Sequence, residues 1–208
     1  HPVQNRALIL VGFQNEYFSP EGLLFGVLQE STARNLVLTN TLSILEAVGS
    51  RFGVIVNTPI VFTADYSELK KPVGILKKIQ ELGAFKRGQN GSKTIDALSP
   101  FQRIIIEVEG KRGLNAFSNT RLEPLLRNHD ITEVVLAGTL TSICIDSTGR
   151  SAAERGFAVT ILSDCTSSES QFEQDFFCTE VFPMYARVID HDTLLAEVAA
   201  APNSRAST

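Results

Sequence analysis

Six short apolar runs, separated by stretches with helical periodicity, constrain the fold of this chain more than any other feature. The clearest run is residues 134–137, which is uncharged and rich in β-branched side chains and ends at Gly138. An uninterrupted apolar run of this length is typical of a strand that is buried on both faces. The same reasoning predicts five further strands, at residues 7–11, 59–64, 103–108, 158–162 and 186–189.

The stretches between these runs predict helices, at residues 31–48, 73–82, 120–128, 145–156, 171–184 and 191–200. Strands that alternate with helices indicate a six-stranded parallel sheet covered on both faces. Because crossovers in such a sheet are right-handed, the carboxyl ends of its strands meet at one edge, where α/β proteins bind ligands. Five positions follow predicted strands and should meet there: residues 12–16, Asp65, Lys111, Cys144 and Asp164.

Composition favours one globular domain that acts on a small molecule. The 208 residues are 43% hydrophobic, which suits a single domain over residues 1–208 with a frayed polar tail from about residue 202. A net charge of −4 without a basic run argues against nucleic acid or a membrane surface as partner. No apolar stretch approaches the roughly 20 residues of a membrane span. Three cysteines cannot all pair in disulfides, so we expect free thiols. Because the first residues also show no secretory signal pattern, we expect the protein in the cytoplasm.

Cys144 is the candidate reactive residue because it lies where a predicted strand gives way to a helix. Unpaired N–H groups and the positive end of a helix dipole at such a point favour a thiolate. Lys111, past the end of another strand, would place an ammonium near it, which favours charged sulfur and can polarise a carbonyl. A free cysteine is nevertheless more often an inert buried residue, and this is how we interpret Cys165 and Cys178.

Four segments together resemble the isochorismatase-like cysteine hydrolases. The nucleophile motif of that family is similar to G-T-L-T-S-I-C-I-D-S-T-G-R-S-A at residues 138–152. Its catalytic-lysine segment resembles K-R-G-L-N-A-F at 111–117, followed by T-R-L at 120–122. Its first two strands resemble residues 7–18 and 59–65. The resemblance covers nearly the whole chain and implies a flavodoxin-like, three-layer α/β/α fold that is often oligomeric.

The resemblance also implies roles for individual residues. Cys144 would be the nucleophile that forms a thioester with a small amide, and Lys111 would stabilise the thiolate and the developing oxyanion. The backbone N–H groups of Thr141 and Cys144 would form the oxyanion hole, with a cis peptide bond between Leu140 and Thr141. This chemistry requires no cofactor. Donors placed where negative charge develops are what such a reaction needs.

Two departures from the family pattern matter. The family's acid closes the first strand, and here that position is Gly12, which cannot transfer a proton. The acid has moved, the activity has been lost, or this one position has been changed by mutation. Glu16 and Asp65 are the candidate substitutes, although a loop carboxylate and a strand-end cap are the plainer interpretations.

The second departure concerns metal binding. Nicotinamidase-like members place histidines after the aspartate of the second strand, but Asp65 is followed by Tyr-Ser-Glu. The three histidines of the chain, His1, His129 and His191, are scattered, and zinc needs converging ligands. We therefore predict no metal, which argues against nicotinamidase activity. The isochorismate-cleaving branch lacks the cysteine, so Cys144 argues against that branch too.

The leading hypothesis is a metal-independent hydrolase of a C–N bond in a small amide, working as a homo-oligomer. The alternative is a catalytically impaired member, natural or engineered, that binds a ligand or serves as an assembly subunit. Candidates for the pocket wall are apolar residues near the sheet edge, although such aromatics are more often core: Phe13, Tyr66, Phe117 and Leu140.

Overall fold

A computed structural model describes residues 3–28 and 31–202, without the side chains of residue 3 and residues 31–35. Six parallel strands form one sheet in the order β3-β2-β1-β4-β5-β6. They are β1 (Arg6–Val11), β2 (Val54–Thr58), β3 (Ile105–Glu107), β4 (Glu133–Thr139), β5 (Ala158–Ser167) and β6 (Arg187–Ile189). The predicted six-stranded parallel sheet is confirmed. The predicted frayed tail, apart from Pro202, lies outside the described residues.

Helices cover both faces of this sheet. They are α1 (Asn15–Phe18), α2 (Ser31–Val48), α3 (Gly74–Leu82), α4 (Leu122–Asn128), α5 (Asp146–Glu154), α6 (Gln171–Phe176) and α7 (His191–Ala200). Successive strand residues point to opposite faces, so Ile9 packs in the core under α4 and α5, whereas Leu8 and Leu10 pack under α2 and α7. No helix in the described part of the chain is long and apolar enough to cross a bilayer.

The second strand was placed wrongly by its sequence pattern. The structure has β2 at Val54–Thr58, before Pro59, and residues 59–64 continue as irregular chain with two isolated bridges. Asn57 made this run look polar, but its side-chain amide is buried and donates to Thr94 Oγ1 at 3.0 Å. Pro59 has no N–H to donate to a ladder, so it cannot continue β2, and the strand ends at the residue before it.

The predicted helix at residues 171–184 is broken into three pieces. Helix α6 passes into a π-helical turn at Phe177–Val181 and then a 3-10 turn at Phe182–Met184. Pro183 lies in this last turn, where it cannot donate to an α-helical ladder. An end of the helix at Pro183 could be expected from the sequence, but the π-helical turn could not, because apolar periodicity is the same for one helix or several short turns.

Strands β1 and β4 lie side by side at the point where the chain order of the sheet reverses. Val11 is in register with Gly138, so Gly12, the first residue after β1, lies beside Thr139, the last residue of β4. Open α/β sheets bind ligands outside the carboxyl ends of their strands at such a point. The topology therefore directs attention to the segments after β1 and β4.

A salt bridge between α7 and β5 predicts a pH-dependent contribution to stability. His191 Nδ1 lies 2.5 Å from Asp164 Oδ2. Burial lowers the pKa of this imidazole. The hydrogen bond to Asp164 and the negative charges of Asp164, Asp192 and Asp190 raise the pKa by more, so it lies above the usual 6.5. Because the folded-state pKa is the higher one, the stabilisation is complete below the unfolded-state pKa and is lost as pH rises through the folded-state pKa.

We expect the difference in unfolding free energy between the wild type and His191→Asn to be larger at about pH 6 than at about pH 9. Urea denaturation at both pH values measures it. A difference that does not change with pH would show that the imidazole does not gain charge stabilisation in the folded protein.

Candidate active site

The loop between β4 and α5 carries Cys144. The structure has a cis peptide bond between Thr139 and Leu140. The expected cis bond between Leu140 and Thr141 is therefore wrong by one residue. Thr141–Ile145 form a π-helical turn that runs directly into α5, so Cys144 lies inside this turn and not in the first turn of an α-helix. A single turn is too short for sequence periodicity to distinguish the two.

Lys111 reaches the cysteine from the segment after β3. Its side chain is only 2% exposed, and its Nζ donates to Cys144 Sγ at 3.4 Å and to the Gly113 carbonyl oxygen at 2.7 Å. Among the ion pairs between described residues, none gives Lys111 a carboxylate partner. A buried ammonium needs a polar or charged partner, and the acceptors within hydrogen-bond distance of this one are Cys144 Sγ and the Gly113 carbonyl oxygen.

The sulfur faces a narrow pocket between the carboxyl ends of β1 and β4 and one side of α3. The space inside is only about 10 Å³, close to the room that one water molecule needs. A larger cavity of about 230 Å³ adjoins it and shares Ile75, Leu140 and Ile143 in its wall. The wall of the larger cavity also includes Lys78, Ser142, Ser168, Glu169 and Glu173.

Position 12 is shaped for glycine and leaves no room for an acid. Gly12 has a φ of +75°, a conformation that side chains disfavour. A Cβ there would lie 2.6 Å from Thr139 Oγ1 and 2.9 Å from the Thr139 carbonyl oxygen. That hydroxyl is buried and has no hydrogen-bond partner among the described residues. Thr139 therefore occupies the space into which a side chain at position 12 would project.

Tyr17 is a further polar residue in the pocket wall. Its side chain is buried, and burial together with the negative charge of Cys144 raises the pKa of the phenol well above its usual range. The phenol is therefore neutral at working pH. It can exchange hydrogen bonds with a ligand, but it cannot act as a carboxylate would.

Neither candidate substitute acid is among the residues that line the cysteine pocket. The Glu16 carboxylate accepts hydrogen bonds from the backbone N–H groups of Leu23 at 3.1 Å and Phe85 at 2.9 Å, so it ties two loops together. Asp65 is exposed, and a hydrogen bond from the Thr63 hydroxyl helps to lower the pKa of its carboxyl group. The plainer interpretation, a loop carboxylate, describes Glu16. Asp65 lies in a turn and accepts from the Thr63 hydroxyl and the Ser67 N–H group, so it is not the cap of a strand end, because β2 ends at Thr58.

Three of the four candidate wall residues do not line the pocket. Phe13 stacks on Phe18 in the core under α2, and Phe117 belongs to the core on the other face. Tyr66 is buried beside α3 and donates its hydroxyl to the Ala84 carbonyl oxygen. Leu140 does line it. These three aromatic side chains are part of the core, where burying their large apolar surface stabilises the fold.

Thr141, His129 and His191 have structural partners, and His1 lies outside the described residues. The Thr141 hydroxyl donates to Gln174 Oε1, and its side chain is not in the pocket wall. His129 Nδ1 is 2.9 Å from the Leu125 carbonyl oxygen, and His191 pairs with Asp164. Over residues 3–28 and 31–202, no group of three histidine, cysteine or acidic residues is placed to hold a metal ion.

Several pocket residues were not found from the sequence: Tyr17, Thr139, the Gly113 carbonyl group, and Ile75, Leu76 and Ile79 of α3. The α3 residues form the apolar face of an amphipathic helix, which resembles any helix packed on a core. Only Tyr17 offered a clue, since it directly follows the segment after β1.

Comparison with known proteins agrees with this architecture. A family model described as the isochorismatase domain matches residues 6–193. The chain is 36% identical over 85 residues to the uncharacterized isochorismatase family protein YecD of Escherichia coli O157:H7, covering 41% of this chain and 45% of YecD. It is 27% identical over 115 residues to nicotinamidase 3 of Arabidopsis thaliana, covering 50% of this chain and 58% of that enzyme. The chain thus spans about half the length of these two relatives.

A solved structure shows the same fold over nearly the whole chain. The cysteine hydrolase from Pseudomonas syringae pv. phaseolicola 1448A superposes with a TM-score of 0.82 at 20% identity, covering 97% of each chain. At this identity the likeness concerns the fold alone.

Proposed function

Because the chain belongs to the isochorismatase family, we propose that it is a metal-independent hydrolase that cleaves a C–N bond of a small amide. The observation that carries this proposal is the 3.4 Å contact between the buried Lys111 ammonium and Cys144 Sγ. An ammonium that has no carboxylate partner among the described residues keeps the sulfur charged, and a thiolate is the form that attacks carbonyl carbon.

In the proposed reaction the Cys144 thiolate attacks the amide carbonyl carbon, and the C–N bond breaks to leave a thioester. The backbone N–H groups of Thr141 and Cys144 are the proposed donors to the oxyanion, assisted by Lys111. Water then hydrolyses the thioester. The narrow pocket accommodates little more than the reacting group, so we place the remainder of the substrate in the adjoining cavity of about 230 Å³.

Selective alkylation tests whether Cys144 is the nucleophile. We expect iodoacetamide at neutral pH to label Cys144 stoichiometrically and much faster than the other two cysteines. Burial and the charge of Asp164 raise the pKa of Cys165, and burial and Asp175 raise the pKa of Cys178 to about 11, so both are protonated thiols at neutral pH. Peptide mass spectrometry over time measures the three rates. Equally slow labelling at all three positions would contradict the proposal.

Gly12 supports a second candidate function, in which the chain binds a small molecule without turning it over. Thermal-shift screening with small amides and carboxylates, run beside a turnover assay, separates the two functions. Ligands that stabilise the protein but yield no product, together with slow labelling of Cys144, would favour binding alone.

A further inference from the structure

Amide hydrolysis through a thioester needs a proton carrier in both half-reactions. The leaving nitrogen must receive a proton when the C–N bond breaks, and the attacking water must lose one when the thioester is cleaved. In this chain no carboxylate is found among the described residues that line the cysteine pocket. The proton carrier must therefore be one of the other groups in the pocket wall.

Two polar neighbours do not fit this role. The Thr139 hydroxyl fills the space beside Gly12 but is neither a useful acid nor a useful base near neutral pH. The Tyr17 phenol stays protonated, because burial and the charge of Cys144 raise its pKa. Lys111 is the one remaining group in the described pocket wall, other than the nucleophile, that can give up and regain a proton.

We propose that Lys111 carries the proton in both half-reactions, in place of the missing acid. This inference rests on the proposed function. Its Nζ is within hydrogen-bond distance of Cys144 Sγ, next to the atom that attacks the carbonyl carbon, so it lies close to where the leaving nitrogen departs. The Gly113 carbonyl oxygen at 2.7 Å holds the amine in place in both protonation states, since a neutral amine still has N–H groups to donate.

The steps balance without any further reagent. As the C–S bond forms and the C–N bond breaks, the Lys111 ammonium gives a proton to the nitrogen, which leaves as a neutral amine or ammonia. The neutral Lys111 amine then takes a proton from water as its oxygen attacks the thioester. The C–O bond forms, the C–S bond breaks, and a carboxylic acid leaves the regenerated thiolate and ammonium pair.

Lys111→Arg separates the charge of this residue from its proton transfer. Arginine stabilises the thiolate but does not give up its proton near neutral pH. The probe is p-nitrophenyl acetate, whose leaving group needs no proton. We expect Lys111→Arg to be alkylated by iodoacetamide about as fast as the wild type and to release one burst of p-nitrophenolate. Steady-state turnover should then fall by about 10²–10⁴-fold, with acetyl-Cys144 accumulating in the mass spectrum.

Lys77→Arg is the matched control. Lys77 is an exposed lysine of α3, and its pairing with Glu81 survives the substitution, so turnover should stay at the wild-type rate. If Lys111→Arg also keeps the wild-type steady-state rate, the proposal is overturned.

Chemical rescue covers the case in which arginine does not fit the buried site. Lys111→Ala leaves space for a small cation, and either ethylamine or guanidinium can supply the charge. We expect both to restore alkylation of Cys144, but only ethylamine to restore thioester hydrolysis. Equal rescue of hydrolysis by guanidinium would overturn the role of Lys111 in proton transfer. If the proposed function itself is wrong, p-nitrophenyl acetate will not acetylate Cys144 even in the wild type. That result differs from a failure of the Lys111 proposal, in which the wild type is still acetylated.

Discussion

Replacing Cys144 with alanine is expected to abolish hydrolysis of p-nitrophenyl acetate, with turnover falling by about 10³-fold or more. The same substitution should change what Lys111 contributes to stability. In the wild type the buried ammonium lies 3.4 Å from the sulfur, and without the sulfur its one hydrogen-bond partner among the described residues is the Gly113 carbonyl oxygen. An uncompensated buried charge is costly, whereas a methionine at position 111 needs no partner.

A double-mutant cycle measures this coupling. Urea unfolding of Cys144→Ala, Lys111→Met and the double variant should give a coupling free energy of about 0.5–3 kcal/mol between the two positions. The control is Cys178→Ala combined with Lys111→Met. Burial raises the pKa of Cys178 to about 11, so this neutral thiol should show effects that add. Additive effects for Cys144 and Lys111 would indicate a neutral thiol and would remove the basis of the proposed reaction.

Introducing the family's acid by Gly12→Asp is expected to destabilise the protein and not to increase turnover. The positive φ at this position costs about 1–3 kcal/mol for a side chain, and overpacking against Thr139 adds about as much. We therefore expect the unfolding free energy to fall by about 2–6 kcal/mol. Urea denaturation measures the loss, and hydrolysis of p-nitrophenyl acetate measures activity.

Gly88→Asp is the control for backbone conformation. Gly88 has a φ of +81°, and no atom lies within 4 Å of the point that a Cβ would occupy, so the substitution there should show the conformational cost without the clash. Gly12→Asp with Thr139→Ala removes the hydroxyl at 2.6 Å and should regain part of the lost stability. If Gly12→Asp alone is as stable as the wild type and more active, position 12 accepts an acid, and its glycine is a mutation in an otherwise standard site.

The central elements were predictable because their sequence patterns are strong and local. Residues 134–137 form an uncharged apolar run, and the hydrophobic effect favours its burial. In the structure this run lies within β4 and is fully buried. Closing helix α7 lies at the predicted residues 191–200, and in the structure Asp190 caps it by accepting from the Thr193 N–H group. The second strand was missed because Asn57 makes its sequence look polar. In the structure a hydrogen bond to Thr94 compensates for burying this amide, and Thr94 is too distant in the sequence for a local pattern to show it.

The pairing of Cys144 with Lys111 was expected from strand ends and from the family resemblance, and the structure brings the two side chains together. The remainder of the pocket was not predictable in the same way. Whether the Phe13 side chain faces a ligand or the core depends on which residues pack against it in the folded protein. The periodicity of the sequence does not show those contacts. Glu16 likewise turned out to be held by two backbone N–H groups from other loops.

The sequence by itself determined the parallel sheet, the order of its helices and strands, and the two groups that could react. These follow from residue type and spacing within short windows, where burial of apolar side chains dominates the free energy. Only the tertiary structure decided that Thr139 closes the space beside Gly12 and that Lys111 Nζ lies 3.4 Å from the Cys144 sulfur. Those facts depend on contacts between distant segments, and ångström-scale distances between such segments arise only when the whole chain packs.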